Sequence, residues 1–123
     1  MYKIFIVLFS TISICSCTSS QSVVGKWEPI QKLNGIDEGA TSMDIEKGSF
    51  FYITWEFRDD DSLVFSRPNS RPLYYNIKGD TIFITAANGL NVSAVRVLAL
   101  TNKELRIQHI LQDNSVEVFR RIR

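Results

Sequence analysis

Thiol and imidazole side chains are few in this chain, and their positions limit the chemistry it can perform. The two cysteines, Cys15 and Cys17, lie near the start, and His109 is the single histidine. Zinc sites usually take three or four ligands, mostly His and Cys, so we predict no metal site and no cofactor. The two cysteines are too close together to staple distant parts of a fold. His109 lies in a predicted strand, where we expect a structural or surface role.

The acidic run Asp59-Asp60-Asp61 could hold calcium only within a suitable loop. An EF-hand loop beginning at Asp59 needs Gly at its sixth position and Glu at its twelfth, where this chain has Val64 and Ser70. We therefore interpret the run as a solvated turn. No nucleophile elbow, phosphate-binding loop or dinucleotide motif occurs, so we expect no catalytic residues and no enzyme activity.

The start of the chain has the layout of an export signal: Lys3, an apolar stretch from Ile4 to Ile14, and small polar residues after it. The apolar stretch is about half of the roughly 20 residues that a membrane-spanning helix needs. The sequence Ile14-Cys15-Ser16-Cys17 resembles the lipobox of bacterial lipoproteins. Cys17 fits that pattern because small Ser16 precedes it, whereas bulky Ile14 precedes Cys15.

This resemblance implies that residues 1–16 are a cleaved signal peptide and that Cys17 is acylated, with palmitate as a usable label. Two or more acyl chains, at about 0.8 kcal/mol per buried CH₂, anchor a protein durably to a membrane. Residues 17–22 then form the lipid anchor and a short tether. Because Thr18 rather than Asp follows Cys17, the common sorting rule predicts the outer membrane of a Gram-negative envelope. The alternatives are an ordinary secretory signal or a cytosolic chain with an apolar start.

Composition indicates one small domain after the signal. Removing 16 of the 123 residues leaves 107, which can bury about two-thirds of their unfolded surface. Without Lys3 the chain carries 13 basic and 13 acidic residues. This balance gives no support for binding nucleic acid.

Apolar residues after the tether alternate with polar ones, the period of half-buried β-strands. Turn residues such as Gly79-Asp80 and Asn88-Gly89 separate them at short intervals. The polar segment 31–48 is long for a hairpin and is expected to be a lid, a short helix or a disordered loop. The pattern predicts eight strands, over residues 24–30, 50–58, 62–66, 72–78, 81–86, 92–101, 104–111 and 115–122.

Eight closely spaced strands favour an antiparallel up-and-down barrel, with an open sandwich as the alternative. Gly25-Lys26-Trp27 resembles the Gly-x-Trp signature of lipocalins, in which the Trp plugs one barrel end beneath a basic side chain from the last strand. Phe119-Arg120-Arg121-Ile122 is similar to the end of small bacterial lipocalin-like lipoproteins, as are Trp55-Glu56-Phe57 and residues 75–82 and 100–105 internally. The resemblance implies a lipocalin-like barrel over residues 23–123. The short chain lacks the usual late helix and Thr-Asp-Tyr motif, which argues against a large cavity.

The resemblance also implies a structural plug built from Gly25, Trp27 and a terminal arginine. A guanidinium over an indole contributes about 0.5–2 kcal/mol. Strand alternation groups Arg120 with apolar Val116, Val118 and Ile122, whereas the family-like ending favours Arg121, which we prefer. An ordinary core Trp with surface arginines is the alternative.

The apolar alternation supplies the candidate interior of the barrel. It forms either a solid core, which we favour for so short a barrel, or a pocket for a small apolar ligand. The residues are Trp55, Phe57, Leu63, Phe65, Tyr75, Ile77, Ile82 and Ile84.

Two functions from different classes are compatible with these features. The first is a lipid-anchored envelope protein that binds a small hydrophobic molecule. The second is an interaction or inhibitor lipoprotein that contacts an envelope protein through its loops, above all the acidic segment 31–48 with Asp37, Glu38, Asp44 and Glu46.

Overall fold

The computed structural model describes residues 22–36 and 39–122. The predicted signal peptide, residues 1–16, and the predicted lipidation site Cys17 lie outside these ranges, so they stay predictions. Asp37 and Glu38 lie outside them as well. Within the described ranges, no helix is long and apolar enough to cross a membrane.

The described chain is all-β and has nine strands. They are β1 (Gly25–Leu33), β2 (Ser42–Asp44), β3 (Trp55–Phe57), β4 (Ser62–Phe65), β5 (Leu73–Lys78), β6 (Thr81–Thr85), β7 (Asn91–Leu100), β8 (Glu104–His109) and β9 (Val116–Ile122).

Eight of these strands form a closed antiparallel barrel. Strands β3 to β9 pair in chain order, and β9 returns to β1 from Val116↔Leu33 to Ile122↔Lys26. The first half of β1 pairs with β3, and its second half pairs with the extra strand β2. Closure leaves the eight barrel strands without an unpaired sheet edge. The predicted eight-stranded up-and-down barrel is confirmed, and the open sandwich is excluded.

The predicted loop of residues 31–48 is partly strand. β1 continues to Leu33, and β2 folds back on it through a hairpin. In this hairpin Asn34 N donates to Thr41 O, and Thr41 N donates to Asn34 Oδ1, both at 3.0 Å. All three residues of β2 are exposed, so the apolar alternation that revealed the other strands is missing there.

The predicted strand over residues 50–58 is wrong in its first half, since β3 begins only at Trp55. Residues 46–52 form successive turns, in which Ser49 N donates to Glu46 O and Tyr52 N donates to Ser49 O, each at 3.1 Å. Phe50 is 84% exposed and Phe51 53%. Consecutive apolar residues suggested a strand here, but their side chains stand at the surface.

Buried aromatic and aliphatic side chains form the core of the barrel. The Phe57 and Tyr75 rings meet edge to face, 5.0 Å apart, and the Tyr75 hydroxyl donates to Arg58 O at 2.7 Å. Complete burial of one such side chain contributes about 1.5–3 kcal/mol. The core consists of Val23, Trp27, Trp55, Phe57, Leu63, Tyr75, Ile82, Ile84, Val95, Leu105, Ile107 and Phe119.

The two ends of the barrel differ because antiparallel connections alternate between them. Short turns at residues 58–61, 79–80 and 101–103 lie at the end where β1 begins and β9 finishes, which we call the plugged end. The longer connections lie at the other end, the open end. They are residues 34–41, 45–54, 66–72, 86–90 and 110–115.

Candidate functional site

Trp27 and Arg121 fill the plugged end. The Trp27 side chain is fully buried, and its Nε1 donates to Val23 O at 2.8 Å. The guanidinium carbon of Arg121 lies 4.2 Å from the centroid of the Trp27 ring. The guanidinium also donates to three backbone carbonyls, those of Asn102 (2.8 Å), Val24 (2.8 Å) and Ser22 (2.9 Å). These contacts join the first described residues to the β7–β8 turn.

Gly25 lets this arginine approach the backbone. Its φ is +137°, a conformation that residues with a Cβ rarely adopt. A Cβ placed on Gly25 would overlap Nη1 of Arg121. The Gly of the Gly-x-Trp sequence therefore has two roles: it adopts the positive φ of the backbone at this point, and it leaves space for the guanidinium of Arg121.

The pairing of β9 with β8 explains why Arg121, and not Arg120, covers the indole. Residues directly opposite each other share a face of the sheet, and Phe119 lies opposite the core residue Leu105. Arg121 is two residues after Phe119 and therefore lies on the same inner face of the sheet, whereas Arg120 faces outward. There Nε and Nη2 of Arg120 donate to Glu28 Oε2 at 3.0 and 2.9 Å.

The eight residues predicted for the interior differ in burial. Six belong to the core: Trp55, Phe57, Leu63, Tyr75, Ile82 and Ile84. Trp55 and Phe65 lie nearer the open end and border a cavity. Ile77 does not belong to the core, since it is 48% exposed beside the β5–β6 turn.

The cavity at the open end has a volume of about 300 Å³. This is the lower end of the range of about 300–1,000 Å³ found for small-molecule sites. Its apolar wall combines inner barrel residues with residues of the β2–β3 connection: Ile45, Phe50, Phe51, Ile53, Trp55 and Phe65. Its polar groups are Lys32, Arg67, His109, Gln112 and Glu117.

A His–Glu pair lies within the barrel at this cavity. His109 Nε2 lies 2.5 Å from Glu117 Oε1, and both side chains are largely buried. The other ring nitrogen, Nδ1, is buried and has no partner among the described residues. The His109 ring also packs against Trp55, with centroids 6.1 Å apart.

The β2–β3 connection is fastened to the outside of β1 by Tyr52. Its hydroxyl donates to Glu28 Oε1 at 2.6 Å, while Arg120 holds Oε2 of the same carboxylate. Lys47 Nζ lies 3.9 Å from Oε1. The hydrogen bond from Tyr52, with Arg120 and Lys47 nearby, lowers the pKa of Glu28, although burial opposes this shift. The same bond raises the pKa of Tyr52 to about 12.

Two further cavities adjoin the first. One of about 300 Å³ shares Lys32 with it and extends to Met43 and Asp113. The other, of about 430 Å³, shares Phe50, Ile53 and Arg67 with it. The two cations therefore stand where the central cavity meets its neighbours.

The acidic run Asp59-Asp60-Asp61 lies in the β3–β4 turn at the plugged end. Asp60 Oδ1 accepts hydrogen bonds from Ser62 N at 3.1 Å and Ser62 Oγ at 2.6 Å, and these lower the pKa of Asp60. Across residues 22–36 and 39–122, no group of three His, Cys, Asp or Glu side chains is arranged to hold a metal ion.

Several cavity residues were not predicted as site residues. Lys32 and Ile45 lie in the segment interpreted as a loop, and Phe50 and Phe51 were assigned to a strand. His109 was singled out, but its partner Glu117 was not, because strand pairing brings the two together. The run Phe50-Phe51-Tyr52 is the one local signal that could have indicated the cavity rim.

Two solved structures share this fold. A lipocalin-like protein from Bacteroides uniformis ATCC 8492 is 16% identical with a TM-score of 0.56, over 81% of this chain and 98% of that one. An uncharacterized protein from Bacteroides eggerthii DSM 20697 is 19% identical with a TM-score of 0.52, over 82% and 100%. No protein-family model and no curated protein matches this chain. The similarity predicted from Gly25-Lys26-Trp27 and the chain ending is confirmed at the level of the fold: this chain forms a small lipocalin-like barrel.

Proposed function

We propose that this protein is a lipid-anchored envelope lipoprotein that binds a small hydrophobic molecule in the open-end cavity. The observation that carries the proposal is the aromatic-lined cavity of about 300 Å³ at one end of a barrel whose other end is plugged by Trp27 and Arg121. Apolar walls with a few converging polar groups are typical of small-molecule sites. No catalytic role is proposed.

The proposed anchor gives the barrel an orientation. Ser22 contacts Arg121 at the plugged end, and Cys17 precedes it by five residues. Five extended residues span at most about 18 Å, so the plugged end would lie close to the membrane that holds the lipid. The cavity would then face away from that membrane and receive ligands from the surrounding compartment.

Ligand binding is tested with the neutral fluorescent probe N-phenyl-1-naphthylamine. We expect saturable fluorescence enhancement by the folded protein. Phe65→Ala should weaken it, and Ile53→Trp, which fills the cavity, should abolish it. Phe83→Ala, on the exposed outer side of β6, is the matched control and should leave it unchanged. Absence of saturable binding by a folded wild-type protein would refute the proposal.

Anchoring is tested by labelled palmitate and cell fractionation. We expect label in the wild type and in Cys15→Ser, but none in Cys17→Ser, which should leave the membrane fraction. The outer membrane is proposed because Thr18, and not Asp, follows Cys17. A wild-type protein without label would contradict the lipoprotein assignment and leave the cavity proposal standing.

A second candidate function is docking of an envelope protein on the open-end loops. It is favoured by exposed apolar side chains on several connections at this end: Ile36, Phe50, Leu90 and Leu111. A photo-crosslinking residue at Leu111 should capture one defined partner, and Ile36→Ser should reduce that capture. The same probe at Lys78, at the plugged end, is the control; equal capture at both positions would contradict this function.

A further inference from the structure

We propose that the ligand of the open-end cavity is an organic anion with an apolar body, and that Lys32 and Arg67 bind its negative group. This inference rests on the proposed function and names the class of ligand for the same cavity. Two observations support it: the balance of charges around the cavity and the position of the two cations relative to the aromatic wall.

The charges that border the cavity favour a negative ligand. Lys32 and Arg67 form no ion pair with another described residue. Glu117 is the one carboxylate among the described residues that line this cavity. Its Oε1 is already hydrogen-bonded to His109 Nε2. Lys32 lies opposite Glu117 in the pairing of β1 with β9 and lines a neighbouring cavity with Asp113. The lining of the central cavity still carries two cations that form no ion pair with a described residue and one carboxylate, which is hydrogen-bonded to His109, so the balance of charge favours an entering anion.

The position of the cations suits an amphipathic molecule. Lys32 is partly exposed and Arg67 is exposed, so a negative group bound there stays in contact with water and avoids the large cost of burying a charge. The apolar body can pack on Trp55 and Phe65 at the cavity floor. Each cation also borders a neighbouring cavity, which leaves room for the charged group.

A positively charged ligand is the principal chemical alternative. Trp55 and the phenylalanines could face a quaternary ammonium group through cation–π contacts. Lys32 and Arg67 would repel such a group, and Glu117 is engaged by His109. The volume of about 300 Å³ suits a single chain or ring system rather than a phospholipid with two acyl chains.

The test compares three competitors with the same ten-carbon chain: decanoate, decanol and decyltrimethylammonium. Each compound is titrated against the wild-type protein with bound N-phenyl-1-naphthylamine at low ionic strength, and displacement of the probe is measured. We expect decanoate to displace the probe at the lowest concentration, and decyltrimethylammonium at the highest. Added salt should weaken the binding of decanoate and leave the binding of decanol unchanged, because salt screens exposed charges.

Substitutions identify the cations responsible. Lys32→Gln and Arg67→Gln should each lower the affinity for decanoate about two- to fivefold, the range for a partly exposed ion pair, without affecting the affinity for decanol. Lys26→Gln on the same strand and Arg71→Gln in the same loop are the matched controls. Vesicles of phosphatidylglycerol should not displace the probe; displacement by them would assign the site to a membrane lipid and overturn the free anion.

The two proposals fail in different ways. If the probe does not bind, the proposed ligand-binding function fails. If the probe binds but decanoate is no better than decanol, or the ammonium compound is best, the function stands and the anion inference is overturned.

Discussion

The guanidinium carbon of Arg121 lies 4.2 Å from the centroid of the Trp27 ring, although the two residues are 94 positions apart in the chain. The pair joins the first barrel strand to the last at the plugged end. The guanidinium also satisfies the carbonyls of Ser22, Val24 and Asn102. One side chain therefore holds together the first barrel strand, the last barrel strand and the β7–β8 turn.

Arg121→Gln should destabilise the barrel markedly. It removes a cation–π contact worth about 0.5–2 kcal/mol and hydrogen bonds to three carbonyls, so we expect a loss of about 1–3 kcal/mol in urea unfolding. Arg120→Gln is the matched control and should cost about 1 kcal/mol or less, because its ion pair with Glu28 is exposed on the arginine side. Equal losses for both variants would contradict the role assigned to Arg121.

Gly25→Ala should be more harmful than a surface glycine substitution. The new Cβ meets Arg121 Nη1, and the φ of +137° becomes strained, so we expect a loss of about 1–3 kcal/mol. Gly35→Ala has open space around it and should change the free energy of unfolding by about 1 kcal/mol or less. Thermal unfolding of the two variants compares them directly, and a Gly25→Ala protein as stable as wild type would exclude this explanation.

Ile77 and Ile82 are cross-strand partners that differ in burial. Ile82 is fully buried, and Ile77 is 48% exposed. Ile82→Ala should therefore cost about 2–5 kcal/mol, whereas Ile77→Ala should stay within about 0.5 kcal/mol of wild type. Denaturant midpoints measure both effects. A large loss of stability in Ile77→Ala would show that Ile77 packs in the core and would contradict its exposed position.

Strand alternation predicted most of the barrel because closed barrels have one apolar and one polar face. Alternation identified six of the core residues, among them Phe57 and Ile84, and the Gly-x-Trp resemblance identified a seventh, Trp27. Alternation failed at Ile77, since it cannot tell where a strand leaves the packed interior. It also misassigned Phe50 and Phe51, whose neighbours turn before β3 begins.

The arginine partner of Trp27 illustrates a second limit of the sequence. Apolar Val116 and Val118 suggested that their face was the inner one, and Arg120 shares it. Both valines are buried, but they lie on the outer face of the sheet. The inner face of β9 is the one that carries Phe119, because Phe119 lies opposite the core residue Leu105. The pairing of strands, which decides this, is not contained in the alternation of one strand. For the same reason Glu117 could not be matched with His109.

The His109–Glu117 pair should be energetically coupled. Removing one partner leaves the other buried without its hydrogen bond, so Glu117→Ala and His109→Ala should each cost about 1–3 kcal/mol. The double variant should lose less than the sum, with a coupling of about 0.5–3 kcal/mol. Strict additivity in urea unfolding would show that the contact contributes nothing to stability.

Tyr52 should link the stability of the β2–β3 connection to alkaline pH. Tyr52→Phe removes the hydrogen bond to Glu28 and should cost about 1 kcal/mol at neutral pH. Because folding raises the pKa of Tyr52 from 10.0 to about 12, its contribution is complete below pH 10 and is lost as the pH rises through 12. The stability difference between wild type and Tyr52→Phe should therefore be constant from neutral pH to about pH 9 and shrink above pH 10.

Ultraviolet titration of tyrosinate provides the direct measurement for Tyr52. The difference between the folded wild type and Tyr52→Phe should show one tyrosine that ionises near pH 12. Tyr74→Phe is the control, because Tyr74 is exposed on β5 and its removal leaves the Glu28 contact intact. A difference curve with its midpoint near pH 10 would mean that the hydroxyl does not hold Glu28 in solution. The rim formed by Phe50 and Phe51 would then lack the attachment through which Tyr52 fixes it to β1.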